Sequence, residues 1–492
     1  MKKNKAFFSG LLIFLLVFTI YMNVLPGQFI WDDDHLVKNN PLIKSWSHVP
    51  DIFTKDIGAG VGLKYYAYRP FQMLTYMADH SVWKLDPRGY HLTNIVLHAL
   101  VALVVFWLST ILSGKALLSL LAALLFAVHP IHTEAVDYIS GRSDLLGTLF
   151  LLSAFIFYIK ANESGKPVYY FLIPFAFALG LLSRESTMIL PGLLLFYHLI
   201  FKKRFKAWPV LCILSVALLY LLFRFFVLKG SLPPIEAVKT TVFQRAPGFF
   251  FALATYLKLL FLPFPLHMEY GNKLHAFSEP GVLAGVLFSA GALFFAVQKR
   301  RSAPLVTFSV GWFFISLLPL SNLFPVNAFM AEHWLYLPSI GFFLILASGF
   351  ERFWDAGKTG ILVRYAMIFL MAFYGGLTFQ QNRYWLEPLT FFQRTLEYAP
   401  DSGRAYYDLG LAYEAKGKPE DAMASYQKTI QYTPQDAKAY NNLAILYFQA
   451  GKRGPALALF RKAIEVDPGY KEARYNLGLA VHKIAESQGG RL

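Results

Sequence analysis

Three aspartates in a row, Asp32, Asp33 and Asp34, follow closely on an apolar run and sit between Trp31 and His35. Adjacent carboxylates at a membrane surface repel one another, and partial burial raises the pKa of at least one. Asp32 or Asp33 can then take the proton of an acceptor hydroxyl as general base. The same oxygens can ligate a divalent cation, and a solvated acidic turn is the bland alternative. A second set, His129-Pro130-Ile131-His132-Thr133-Glu134, combines two imidazoles with a carboxylate. It lacks the His-Glu-x-x-His zinc spacing, and Pro130 breaks any continuous helix there. Metal coordination, phosphate orientation and loop hydrogen bonding all stay open for it.

Arginine holds phosphate with two parallel donors, which lysine does not. Arg69, Arg142 and Arg184 are the candidates for that role. Arg142 and Asp144 read equally as partners of each other. Arg184-Glu185 is either an internal ion pair or a substrate contact, and Glu332-His333-Trp334-Leu335-Tyr336 reads the same way. His91, Asn94 and His98 fall on one helical face, where polar groups of a membrane helix turn toward the bundle or a cavity.

These residues need a membrane scaffold to position them. Hydrophobic residues make up 56% of the 492 residues and charged residues 15%, with a mean hydropathy of +0.43. Many apolar runs in the first ~380 residues are long enough to span a bilayer. The start, basic and then apolar from Phe7 to Val24, reads as an uncleaved first span. The net charge of +16 sits in clusters between apolar runs, which points to cytoplasmic loops near anionic lipid rather than to nucleic acid. The single cysteine, Cys212, excludes an intrachain disulfide and a cysteine-based zinc site.

Basic clusters at 2–5, 202–206, 299–301 and 352–364 set a topology if all face the cytoplasm. The parity of crossings then predicts eleven spans, with the N-terminus inside and residues 248–264 re-entrant or interfacial. Outer loops over 26–91, 129–143, 183–187, 229–279 and 321–334 collect the polar motifs. Arg224 is the main charge inside an apolar run and reads as a snorkelling side chain.

The last hundred residues repeat. Pro400, Pro434 and Pro468 are 34 residues apart, the tetratricopeptide period, in which each repeat is a helical hairpin. Full repeats are expected near 403–436 and 437–470, with half-repeats at 387–398 and 471–485. Asn441, Asn442 and Asn476 are candidates for ligand contact on the concave face. The fold expected is all-α: a polytopic membrane bundle over 1–382, then a short repeat solenoid over 383–492.

In order and spacing the motifs resemble those of the transmembrane and tetratricopeptide-repeat family of membrane glycosyltransferases. That family lies in the GT-C superfamily, with the protein O-mannosyltransferases as relatives. The matching pieces are Phe29 to Asp33 with Asn39-Asn40-Pro41, Arg69-Pro70-Phe71, Gly89 to Asn94, Phe126 to Val136, Gly141 to Asp144, Ser183-Arg184-Glu185 and Ala331 to Ser339. Two pieces depart from the family pattern. Arg184 stands where the family has lysine, and His333 where it has arginine, which loses a permanent cation. The resemblance implies a GT-C-like fold and inverting transfer of a sugar from a polyprenyl-phosphate donor to an acceptor hydroxyl of a protein, on the outer face. It makes Asp32 or Asp33 the base and assigns the leaving phosphate to Arg69, Arg142, His129 or His132. It extends substrate contact to His91, Glu134, Arg184, Glu185, Glu332, His333 and Tyr336. It leaves metal use open between a divalent cation and none. The short repeat array, with no eukaryotic retrieval signal at the C-terminus, suggests a bacterial inner-membrane member with periplasmic repeats. Two rivals remain, a non-catalytic repeat scaffold for envelope assembly and a lipid-linked-sugar transporter.

Overall fold

In lipid a backbone must satisfy its own polar groups, and this apolar chain does so with helices. The computed structural model describes residues 3–203, 206–228, 240–271, 273–322 and 328–489, and among them there is no strand. Parts of the basic clusters at 2–5 and 202–206, and of the loops expected over 229–279 and 321–334, lie outside the described residues. The chain divides after Leu386 into a membrane unit and a repeat unit.

The longer helices of the first unit, numbered in chain order, are α1 (Lys3–Tyr21), α2 (Pro70–Trp83), α3 (Pro87–Ser113), α4 (Ala116–Val128), α5 (Arg142–Ser164), α6 (Pro167–Leu181), α7 (Leu190–Phe201), α8 (Ala207–Val227), α9 (Val242–Phe261), α10 (Pro280–Lys299), α11 (Pro304–Leu317), α12 (Ser339–Phe353) and α13 (Gly357–Gln381). The centre is α5, of whose apolar window 72% is buried, against 17% for α8 and α10. The outer helices therefore turn apolar faces outward, as lipid-facing helices do. The unit is that of an integral membrane protein.

Eleven spans are too many. Among the described residues six helices are long and apolar enough to cross a bilayer, and the pair Ala116–Val128 and Pro130–Asp137, bent by 56°, makes a seventh if it counts as one. Two of the apolar runs that make up the eleven, 168–183 and 335–350, fall on helices of only 15 residues each, Pro167–Leu181 and Ser339–Phe353. Such a helix rises about 22 Å, short of the ~30 Å hydrocarbon core. Composition counted apolar residues that belong to the turns at helix ends. Residues 248–264, expected to be re-entrant or interfacial, fall mostly in the regular helix α9. Its Leu253, Tyr256 and Leu260 pack with Phe313, Leu317 and Leu335.

The second unit carries α14 (Pro388–Tyr398), α15 (Gly403–Ala415), α16 (Pro419–Tyr432), α17 (Ala437–Gln449), α18 (Arg453–Val466) and α19 (Lys471–Gly489). The repeat period reappears in the caps. Ser402 Oγ accepts from Ala405 N–H, and 34 residues on Asp436 accepts from Lys438 and Ala439. Gly410 is small because Tyr426 fills the hairpin: a Cβ there would come 2.5 Å from the ring. The three asparagines form a ladder. Asn476 donates to Asn441 at 3.0 Å, and Asn441 to Asn442 at 3.2 Å.

Candidate functional site

Past α1 the chain turns sharply at Trp31, whose φ of 59° is costly for a residue with a Cβ. The three aspartates then part company. Asp33 is buried and ties this loop to the entry of α5. One oxygen accepts from Ser140 N–H at 2.8 Å and Ser140 Oγ–H at 2.5 Å, and the other accepts from Ile30 N–H at 3.1 Å. Burial pushes its pKa up to about 7, with the charge of Asp32 adding and the hydrogen bonds from Ser140 and Ile30 opposing. Asp34 pairs with Lys38 at the surface. Asp32 is only partly buried, and its Oδ1 accepts from Tyr65 O–H at 3.1 Å.

Tyr65 begins a five-residue strap that ends at Arg69. Asp56 pins it, accepting from the N–H groups of Tyr65 and Ala67 at 3.1 and 3.0 Å. Tyr66, again left-handed at φ 55°, turns its carbonyl to Arg224 Nη2 at 3.0 Å. Tyr68 N–H and Arg69 Nε both donate to Glu185, at 3.3 and 3.0 Å. Arg184 donates to Asp144 at 2.5 Å and to Ser143 Oγ at 3.0 Å, while Arg69 reaches the same Oγ at 3.4 Å. Arg69, Arg184 and Glu185 are thus brought together at one end of the strap whose other end, Tyr65, holds Asp32.

Sequence reasoning did not assign Tyr65, Asp56, Ser140, Ser143 or Arg224 to the site. Arg224 alone gave a signal, a charge within an apolar run. Its Nη2 is on Tyr66, and its Nε is buried with no hydrogen-bond partner.

Other candidates take structural positions. Arg142 is fully buried and pairs with Asp79 at 2.6 Å, not with Asp144. It also donates to Asn94 Oδ1 and the Tyr90 carbonyl at 2.8 and 3.0 Å, so an anion cannot reach it without unpacking the core. His129 donates Nε2–H to the Leu260 carbonyl at 3.1 Å and accepts Ile131 N–H at 3.2 Å, which occupies both ring nitrogens. His132 lies in an aromatic nest with Phe126 and Tyr336, at ring distances of 4.4 and 4.8 Å. Tyr336 O–H bonds His98 Nδ1 at 2.7 Å, because His98 Nε2 donates to the Ala127 carbonyl. His91 is buried against Gly27, where a Cβ would stand 2.9 Å from its Nε2. Glu134 is buried and accepts from His333 N–H and Nδ1–H at 2.8 and 2.6 Å. Glu332 accepts from His267 N–H and Tyr270 O–H, both at 2.6 Å. These glutamates hold the 331–336 corner against its neighbours. Among the described residues no three His, Cys, Asp or Glu side chains form a group able to hold a metal ion.

Residues 84–226 match the Dolichyl-phosphate-mannose-protein mannosyltransferase family, and residues 413–451 and 437–470 match tetratricopeptide repeats. A protein O-mannosyl-transferase of Caenorhabditis elegans is 27% identical over 430 residues, covering 82% of this chain and 59% of the relative. Protein O-mannosyl-transferase TMTC3 of Mus musculus is 26% identical over 458 residues, covering 84% of this chain and 50% of that one. The chain therefore spans between half and three-fifths of the length of these relatives. Among solved structures, the Archaeoglobus fulgidus oligosaccharyltransferase tethered with an acceptor peptide is 12% identical, with a TM-score of 0.47, covering 83% of this chain and 59% of that one. Matches in both units, and similarity over four-fifths of the chain, bear out what its motifs indicate: it resembles the transmembrane and tetratricopeptide-repeat membrane glycosyltransferases, relatives of the protein O-mannosyl-transferases.

Proposed function

We propose that this chain transfers a sugar, mannose by analogy with its relatives, from a polyprenyl-phosphate carrier to a hydroxyl of a protein acceptor. The observation that carries this reading is the strap. Within five consecutive residues it binds a partly exposed carboxylate through Tyr65, an arginine through the Tyr66 carbonyl, and a second arginine at Arg69. Its ends lie no more than about 14 Å apart, a span that a phosphate-linked sugar and its acceptor can bridge.

Asp32 takes the acceptor proton as the acceptor oxygen bonds to the anomeric carbon. The bond from that carbon to the phosphate oxygen breaks on the opposite face, which inverts the centre. The lipid phosphate leaves with the electron pair. Arg69, Arg184 and Arg224 face it with two nearby carboxylates, Glu185 and Asp144, so one positive charge is available to the anion. Asp33 positions Asp32 and does not touch substrate.

The reaction is placed on the outer face of a bacterial inner membrane, with the N-terminus cytoplasmic and the repeats periplasmic, where they hold the acceptor. Sidedness of charge supports this: α1 and α8 start among basic residues and end at the site, while α5 starts at the site.

The test is sugar transfer by purified protein from polyprenyl-phosphate mannose. Asp32→Asn is expected to lower kcat about 10²- to 10⁴-fold at an unchanged melting temperature. Full turnover in that variant sinks the assignment of the base, and no turnover by folded wild-type protein with any lipid-phosphate sugar sinks the transferase.

A further inference from the structure

Many helical serines in this protein return their hydroxyl to the carbonyl four residues back, as Ser153, Ser309 and Ser348 do at 2.6–2.8 Å. Two buried ones, Ser109 on α3 and Ser316 on α11, have an Oγ with no hydrogen-bond partner among the described residues. Ser316, 3% exposed, is the one beside a cavity. A buried hydroxyl left unsatisfied is costly, and such a group calls for an occupant beside it.

Ser316 lines a cavity of about 20 Å³ with Asp144, Thr148, Arg184, Ser186 and His333. Room of that size holds one water or one hydroxyl, not a sugar ring. The polar groups around it are held in place from outside. Asp144 Oδ2 is fixed by Arg184, and His333 Nδ1 by Glu134, so Oδ1 of Asp144 and Nε2 of His333 are the polar atoms these side chains have left. Arg184 also shares Ser143 Oγ with Arg69, so the cavity adjoins the guanidinium proposed to face the phosphate. His333, 22% exposed, is the lining side chain that also reaches solvent. An acceptor, a donor and a fixed ion pair around a one-hydroxyl space suit a single hydroxyl of a carbohydrate better than any apolar group.

We propose that this cavity is the sugar-specificity subsite of the donor, taking one ring hydroxyl or hydroxymethyl oxygen between Ser316, Asp144 and His333. The proposal rests on the transferase reading above. A site built to hydrogen-bond one hydroxyl rejects the analogue lacking it far more strongly than an apolar pocket rejects a missing methylene, because its buried groups are left unpaired.

The experiment compares polyprenyl-phosphate hexose with the series of its monodeoxy analogues, in wild type and in Ser316→Ala. In wild type one deoxy position is expected to lower kcat/KM at least about 100-fold, and the others much less. Ser316→Ala should shrink that ratio at least about tenfold, by weakening the hexose while sparing the deoxy donor. The melting temperature of the ligand-free variant should stay level or rise, since the orphan hydroxyl is gone. Equal use of every deoxy donor overturns the subsite alone, as does an unchanged ratio in Ser316→Ala. No turnover of any donor by folded wild type overturns the transferase reading and the subsite with it.

Discussion

At the scale of single residues, Asp32 and Asp33 show how neighbouring carboxylates acquire different work. Asp33 is paired inward with backbone donors, while Asp32 faces Tyr65 and the strap. The burial of Asp33 makes a pH-dependent contribution to stability whose sign is fixed. Its native pKa is about 7, against an ordinary 3.8. Between those values the native state keeps a proton that the unfolded state has lost, so stability falls as pH rises from about 4 to about 7, by about 2–4 kcal/mol. Asp33→Asn cannot ionise and turns an amide toward Ile30 N–H, at a cost of about 1–3 kcal/mol. Unfolding midpoints in detergent across that pH range should slope in wild type and lie flatter in the variant, and parallel curves would refute the buried-carboxyl account. The residue types of the site were legible in sequence because acids and arginines are rare in this chain's apolar stretches. Their roles were not. Arg142 reads in sequence as a phosphate-holding candidate and Arg224 as a stray charge in an apolar run, yet Arg142 is sealed in a core with Asp79 and Arg224 has a buried nitrogen with no partner. Only three-dimensional packing separates those cases.

At the scale of elements, the same limit follows from how helices use apolar residues. Helix identity was visible, because long apolar stretches leave the backbone no other way to satisfy itself. Helix ends were not, since turns such as Leu318–Leu320 are as apolar as the helices they follow. The strap over 65–69 has no periodicity, so apart from Arg69 nothing in its sequence announces its contacts with Asp32 and Arg224. Where helices touch, a close approach can be tested. On α10 a Cβ at Gly285 would stand 1.8 Å from the Phe250 carbonyl oxygen on α9, so the two helices pack backbone to side-chain-free backbone. Gly285→Ala must push them apart and should destabilise the membrane unit by about 1–3 kcal/mol. Gly291, on the same helix, has nothing within 4 Å of a Cβ, and Gly291→Ala controls for the substitution itself. A lower unfolding midpoint for Gly285→Ala but not for Gly291→Ala is expected, and equal midpoints would mean that the approach of α9 and α10 is looser than described.

At the scale of the whole molecule, two units with separate cores divide the labour. The chemistry proposed here needs only residues before Leu386, because Asp32, Arg69, Arg224 and the Ser316 cavity all belong to the membrane unit. The repeat unit has its own core, built on Ala422, Tyr426, Leu443 and Leu446. Repeats of this kind stack through neighbour contacts and present an extended surface. If they hold a protein acceptor while its hydroxyl reaches Asp32, they raise the local concentration of that acceptor and leave the chemical step alone. A chain ending at Leu386 should then transfer sugar to a short peptide acceptor with kcat and KM close to those of the full chain. Its KM for a folded protein acceptor should rise by about 10- to 100-fold, with kcat nearly unchanged. Loss of kcat on the short peptide would show that the repeats take part in building the active site. An unchanged KM for the protein acceptor would remove them from acceptor recognition and leave them free to serve a partner of another kind.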